Sequence, residues 1–420
     1  HTLRVGEQKT HTILFYFHDA SATDVAQVGA GFDKPLVAMA NPSWYAQITP
    51  SNPTESTEAP EEYRFPTFVP TNADSCGIVV TNSPAEYDRF MRRHIYGPGA
   101  SATCGGTTNT YAFNGLDEAI PSSQLYSWMD YGDIPIDFEQ QWSGASKVCA
   151  GWNKSITGQY GWKYDGDYGL WINALRSFDD GSDGDAEDYR LRFYDFALAA
   201  TLHTMDIDMM HHGNQSGRGI SDFRDGGMFG HSQHNSDMIM NPHRNGDYGT
   251  NACWNGGNFN GTPTSDMLFG LGAINLSDWI TGDPTFVEGL NDIAAWVNYW
   301  IPNHVSSGRE MSGRSAANMI NACSWAYQFT GNSNFLINAT RLVTNSPPLF
   351  NPMSDRFTSG LSGDALGRFV ATLHEQDDSS LDPYLATMAG SWVGTQNTSW
   401  DFLYGDAFAW AEMLLPQCRS

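Results

Sequence analysis

A chain of 420 residues with 40% apolar and 13% aromatic side chains has ample surface to bury, which excludes an intrinsically disordered polymer. Its 47 acidic against 22 basic residues give a net charge of −25, which repels phosphate backbones and anionic lipid heads and sets aside nucleic acid as a partner. No apolar run reaches the roughly 18 residues that a spanning helix needs, so no membrane span is expected.

Taken in chain order, residues 1–82 read as a β-rich segment. Thr12 to Phe17 and Cys76 to Thr81 are runs of β-branched, aromatic and aliphatic residues, separated by a Pro, Glu, Ser and Thr loop at 50–70. Residues 83–165 read as a connecting helix and loops that bear part of a site. The helix has a strong start signal, with Ser83 as N-cap, Pro84 at the first position and Glu86 completing a capping box. From 166 to 420 the periodicity is helical. Leu170 to Phe178, an acidic turn, and Tyr189 to Met210 form one predicted hairpin, and Trp400 to Leu415 a closing helix.

An internal repeat assigns the fold. Thr281-Gly282-Asp283-Pro284-Thr285-Phe286 aligns with Thr330-Gly331-Asn332-Ser333-Asn334-Phe335, and then with Asp382-Pro383-Tyr384, so that the aromatic residues recur twice at 49 residues. Each copy lies between two apolar-periodic stretches, which is a helical hairpin. One hairpin cannot bury its apolar face alone, so the period predicts a mainly α fold, an α/α toroid of hairpins about 49 residues long, behind the N-terminal β-rich segment.

Six cysteines without a C-x-x-C spacing allow up to three disulfides, with a connectivity that spacing does not reveal. Sequons at Asn153, Asn214, Asn260, Asn275, Asn338 and Asn397 predict glycosylation and, with the cysteines, an extracellular chain. No signal peptide precedes His1, so the expectation is a mature product or a piece of a longer precursor.

The densest polar cluster spans positions 203 to 243, with His203, His211, His212, His231, His234 and His243 interleaved with Asp206 and Asp208. On a helix, Asp208 faces His211 and His212 at i+3 and i+4. A carboxylate beside an imidazole fixes its tautomer and raises its basicity, as a general base requires. The same spacing makes Asp208, His211 and His212 candidate ligands of a divalent metal, although no H-E-x-x-H occurs. Upstream, Trp128, Asp130 and Asp133, and then Trp162, Lys163 and Tyr164 to Tyr168, set aromatic faces beside Gly-Asp. Aromatic faces stack on sugar rings, while Asp and Lys bind hydroxyls or carboxylates.

The order of motifs resembles the exo-rhamnogalacturonan lyase-like polysaccharide lyases. It runs from Arg4 to His11, through Pro35-Leu36, Pro42 to Tyr45, Trp128 to Pro135, Tyr164 to Leu170 and His203 to His212, to the Gly-Gly stretch ending at His234, over roughly the first 290 residues. The resemblance implies extracellular cleavage of a uronic-acid glycan by β-elimination. That chemistry needs a cation against the carboxylate, a base for the C5 proton and an acid for the leaving oxygen. His211, His231 and His234 are the implied acid and base, Tyr164 or Tyr168 a second acid, and Arg218 or Arg224 the partner of the carboxylate; calcium fills a role in some lyases. Thr264 to Gly270 lacks a His that relatives place there, which points to altered or lost activity. Two alternatives stand beside the lyase. One is a glycoside hydrolase that draws two carboxylates from Asp130, Asp133, Asp165, Asp167, Asp206 and Asp208. The other is a non-catalytic glycosylated subunit that pairs with further copies of itself in an oligomer or filament.

Overall fold

The computed structural model describes residues 13–21, 23–33, 39, 102–104, 107–109, 132, 166–175, 186–209, 211, 226, 271–305, 313–345 and 356–393. Among these the chain is mainly α-helical. After α1 (Val25–Asp33) come two three-residue strands, β1 (Ala102–Cys104) and β2 (Thr107–Asn109), paired antiparallel with Ala102 opposite Asn109. Then follow α2 (Gly166–Leu175), α3 (Ala186–His203), α4 (Leu271–Thr281), α5 (Pro284–Val305), α6 (Gly313–Thr330), α7 (Asn334–Asn345), α8 (Arg356–His374) and α9 (Asp382–Val393). Helix α3 runs on through a π-turn at Thr204–Asp208, which the Met209 N–H closes by donating to the Thr204 carbonyl at 3.0 Å.

The N-terminal strand expected over Thr12 to Phe17 is not formed at its described residues. Ile13 to Phe17 has no regular structure, and Ile13, Phe15 and Phe17 are 67, 74 and 92% exposed. A β-favouring run becomes a strand only where a neighbour supplies the ladder. Within the same expected β-rich segment, Val25–Asp33 is helical. The Cys76 to Thr81 strand, the helix from Ser83 and the closing helix at Trp400 lie outside the described residues.

The hairpins have a common construction. At the end of α4, Gly282 takes φ +66°, and its N–H donates to the Asp278 carbonyl at 2.8 Å. The Thr281 hydroxyl donates to the Ser277 carbonyl and its oxygen accepts the Asp283 N–H, while Asp283 Oδ1 accepts the Thr285 N–H as the N-cap of α5. Forty-nine residues on, Gly331 (φ +67°), Thr330, Asn332 and Asn334 repeat every one of these bonds. Behind each turn, Phe286, Leu290 and Ile293 in α5 and Phe335, Ala339 and Leu342 in α7 are buried at i, i+4 and i+7.

The third hairpin keeps this plan but shifts the register. Its left-handed residue is Asp377 (φ +58°), the N-cap contact is Ser380 N–H to Asp378 Oδ1 at 2.8 Å, and the buried set is Leu381, Leu385 and Met388. The step from Gly331 to Asp377 is 46 residues, not 49. Aligning Asp382-Pro383-Tyr384 with the earlier turns therefore sets the third copy three residues too late. An Asp-Pro pair starts helices in many contexts, whereas burial of Leu381 is dictated by the packing.

Helices α2, α4, α6 and α8 lie side by side in one layer. The second layer covers it: α3 packs on α2 and α4, α5 on α4, α6 and α7, α7 on α6, and α9 on α8. Trp171, Phe193, Phe286, Trp296 and Phe369 are the largest fully buried side chains, and all sit between these layers' helices. Trp171 shows how the first pair is fastened. Its indole N–H donates to Thr201 Oγ1 at 3.1 Å, its ring meets Tyr194 edge-on at 5.2 Å, and Arg190 Nε donates to the Ala174 carbonyl at the end of α2.

Candidate functional site

Packed helices stand about 8–10 Å apart, so α2 and α8, at the two ends of a row of four, would be separated by on the order of 25 Å if the layer were flat. Instead the Arg368 guanidinium of α8 lies 5.4 Å from the centre of the Tyr168 ring of α2, and 5.5 Å from the Trp325 ring of α6. The layer is therefore bent, and the face bearing these three side chains is its concave side. Tyr168 meets Trp325 edge-on at 5.4 Å. The intervening helix permits this because it presents Gly272: a Cβ there would come within 2.9 Å of Tyr168 Cδ2 and 3.0 Å of the Trp325 indole.

Trp279 extends the cluster toward the hairpin turns. Its ring is 6.4 Å from that of Trp325, and it is 51% exposed, the most open tryptophan among the described residues. On α6, Asn321, Trp325 and Gln328 share one stripe at i, i+4 and i+7. Asn321 Oδ1 and Gln328 Oε1 are both out of contact with solvent and accept no hydrogen bond, an arrangement that leaves acceptors unmet on an otherwise aromatic stripe.

Of the residues expected to form a site from sequence, Tyr168 is in this cluster. The histidine helix goes elsewhere. His203 is buried at the end of α3, where Gly132 (φ +96°) packs so closely that a Cβ on it would strike the Ala199 carbonyl and His203 Cβ. That close approach sets Gly132 against the last turn of the histidine helix. His211 Nε2 donates to the Met205 carbonyl, which fixes the tautomer and leaves Nδ1 with the basic lone pair. Met205 in turn fills the space over Gly289 of α5, and Gly226 (φ +80°) lies against the α5 backbone at Asp292. Of the 203–243 cluster, His203 and His211 are described, and both stand at the C-terminal end of α3, where Met205 packs on α5.

His212, His231, His234, Tyr164, Trp128, Asp130, Asp133, Trp162, Lys163, Arg218 and Arg224 lie outside the described residues, as does the side chain of Asp208. Among the described residues no group of three His, Cys, Asp or Glu gathers to hold a metal. Asp167 and Asp206, two of the carboxylates considered for hydrolysis, are buried, and Asp167 Oδ1 accepts the Tyr168 N–H at 2.9 Å.

Two of the sequons and Cys323 fall inside described helices. Asn275 is 0% and Asn338 4% exposed, each inside a helix, and the Asn338 amide donates to Asn298 Oδ1 at 3.1 Å. A folded chain has no room for a glycan at either amide. Cys323 is a buried free thiol in α6, so the six cysteines do not form three bridges within one chain. Asn153, Asn214, Asn260 and Asn397 lie outside the described residues.

Arg368, Trp325, Trp279 and Gln328 were not anticipated. A signal existed: superposing the hairpins by their turns places Trp279, Gln328 and His374 at one equivalent position, a polar and aromatic column among apolar ones. Comparison with family models, with curated proteins and with solved structures finds no match for this chain.

Proposed function

We propose that the bent layer is an arc of an α/α toroid and that the chain is an extracellular polysaccharide lyase acting on a uronic-acid-containing, rhamnogalacturonan-like glycan. The observation that carries this reading is the Arg368 guanidinium set over Tyr168 and Trp325 on the concave face. In β-elimination a base removes the C5 proton, the electron pair forms the C4–C5 double bond, and the glycosidic oxygen at C4 leaves with a proton from an acid. Negative charge grows on the uronate carboxylate as the C5 proton departs, and a guanidinium fixed beside it is the group that lowers that barrier. An aromatic floor excludes water and strengthens the attraction. In this reading Arg368 neutralises the carboxylate, alongside or instead of Arg218 and Arg224, and the Tyr168 hydroxyl serves as acid. The base is His211, through Nδ1 with Nε2 held by the Met205 carbonyl, or His231 or His234. A divalent cation, calcium among the candidates, is an additional partner for the carboxylate, with Asp208, His211 and His212 as its candidate ligands.

Incubation with rhamnogalacturonan, polygalacturonate, alginate and glucuronan, followed by the ultraviolet absorbance of the unsaturated product, tests the reading. A rise with one polymer that Arg368→Met abolishes is the expected result, and a flat trace with all four overturns it.

The exposed Ile13, Phe15 and Phe17 favour a second reading, a non-catalytic subunit whose N-terminal segment adds to a neighbouring copy. Sedimentation of the wild type against Phe15→Asp decides it, since a concentration-independent monomer in both cases removes this reading.

A further inference from the structure

We infer that the hairpin-turn end of the concave face, built from Trp279 on Trp325 with Asp278 and Asp283 beside it, is a subsite for an uncharged sugar ring adjoining the position of Arg368. The inference rests on the glycan-binding part of the proposed function but not on elimination chemistry.

Two observations lead to it. Trp279 is half open to solvent yet anchored edge-on to the buried Trp325, which makes it a held apolar platform and not a loose surface side chain. Asp278, adjacent to it in the chain, and Asp283, in the turn that follows, are carboxylates in contact with solvent at the same end of the hairpin. A sugar hydroxyl donates to such a carboxylate, and a ring's C–H face supplies what an indole stacks on.

Charge then selects the kind of sugar. The hairpin that bears Trp279, Leu271 to Val305, contains Asp278, Asp283, Glu288 and Asp292 and neither Lys nor Arg. On the other flank, His374 holds Asp382 at 2.7 Å, beside Glu375, Asp377 and Asp378. An anionic ring over Trp279 would be repelled by the Asp278 and Asp283 carboxylates of the same hairpin end, whereas a neutral one would not. Arg368, 5.5 Å from the centre of the Trp325 ring, is the place for an acidic unit. The strip from Trp279 to Arg368 thus distinguishes two neighbouring units of one chain by charge.

Affinity electrophoresis of the full chain in native gels containing β-1,4-galactan, xyloglucan or polygalacturonate tests this without requiring turnover. The wild type is expected to be retarded by at least one of the two neutral glycans. Trp279→Ala weakens that retention by roughly tenfold in apparent Kd, Trp279→Phe restores most of it, and Asp278→Asn weakens it by a smaller factor. An unchanged thermal midpoint for Trp279→Ala shows that the fold is intact. No retardation in either neutral gel, or equal retardation of wild type and Trp279→Ala, overturns the subsite. Retardation without any unsaturated product supports the subsite while rejecting the lyase, and product formation without neutral retardation does the reverse.

Discussion

Arg368 of α8 lies over the ring of Tyr168 of α2, although two further helices stand between theirs in the layer. This cross-layer contact both bends the sheet of helices and sets a cation on its hollow side. If the proposed chemistry is right, Arg368→Met lowers kcat/KM on a uronate polymer by about 10²–10³-fold, as loss of one group stabilising a developing oxyanion does, while Arg368→Lys recovers part of it. Tyr168→Phe, which keeps the ring under the guanidinium, separates a proton-donating hydroxyl from a merely packed ring by lowering kcat at nearly constant KM.

The two glycine turns and the aspartate turn differ in sign. Gly282 and Gly331 have positive φ with open space around them, so alanine there clashes with nothing but is held in the left-handed region. Each Gly→Ala change is expected to cost about 1–2 kcal/mol in urea unfolding. Asp377, at φ +58° in the corresponding turn, already bears that strain, and Asp377→Gly is expected to raise the urea midpoint.

Register in the third hairpin can be read from two alanine variants. Leu381 is 1% exposed, and Leu381→Ala is expected to cost about 2–5 kcal/mol, as a fully buried truncation does. Tyr384, which the 49-residue spacing would place in the core, is only partly buried, and Tyr384→Ala is expected to cost clearly less under the same denaturant titration.

Asn275 is fully buried in α4 with neither amide atom hydrogen-bonded. Replacing it with leucine removes two unmet polar atoms at similar volume, so Asn275→Leu is expected to raise the thermal midpoint, and a lowered midpoint would show that the amide serves a partner.

Burial pushes the Cys323 thiol far above its usual range, which suppresses the thiolate. The native chain is therefore expected to leave Cys323 unlabelled by a thiol reagent at neutral pH and to expose it on denaturation, as mass spectrometry of the labelled peptide would show.

Local chemistry settled the helical hairpins. Thr-Gly-Asp-Pro and Thr-Gly-Asn-Ser each contain their own cap, left-handed residue and first buried aromatic, so the turns at Gly282 and Gly331 follow from a few adjacent residues. Periodicity likewise identified α2 and α3 on either side of an acidic turn. Tertiary structure decided what no local pattern contains. It left Ile13 to Phe17 without a strand partner, moved the third core position from Tyr384 to Leu381, buried two sequons, and turned His211 onto a carbonyl. It also brought Arg368 across two helices to Tyr168, through a gap that exists only because residue 272 has no side chain. A turn is specified by neighbours in the chain. A concave face is specified by how far a layer bends, which depends on side-chain volumes on helices more than a hundred residues apart.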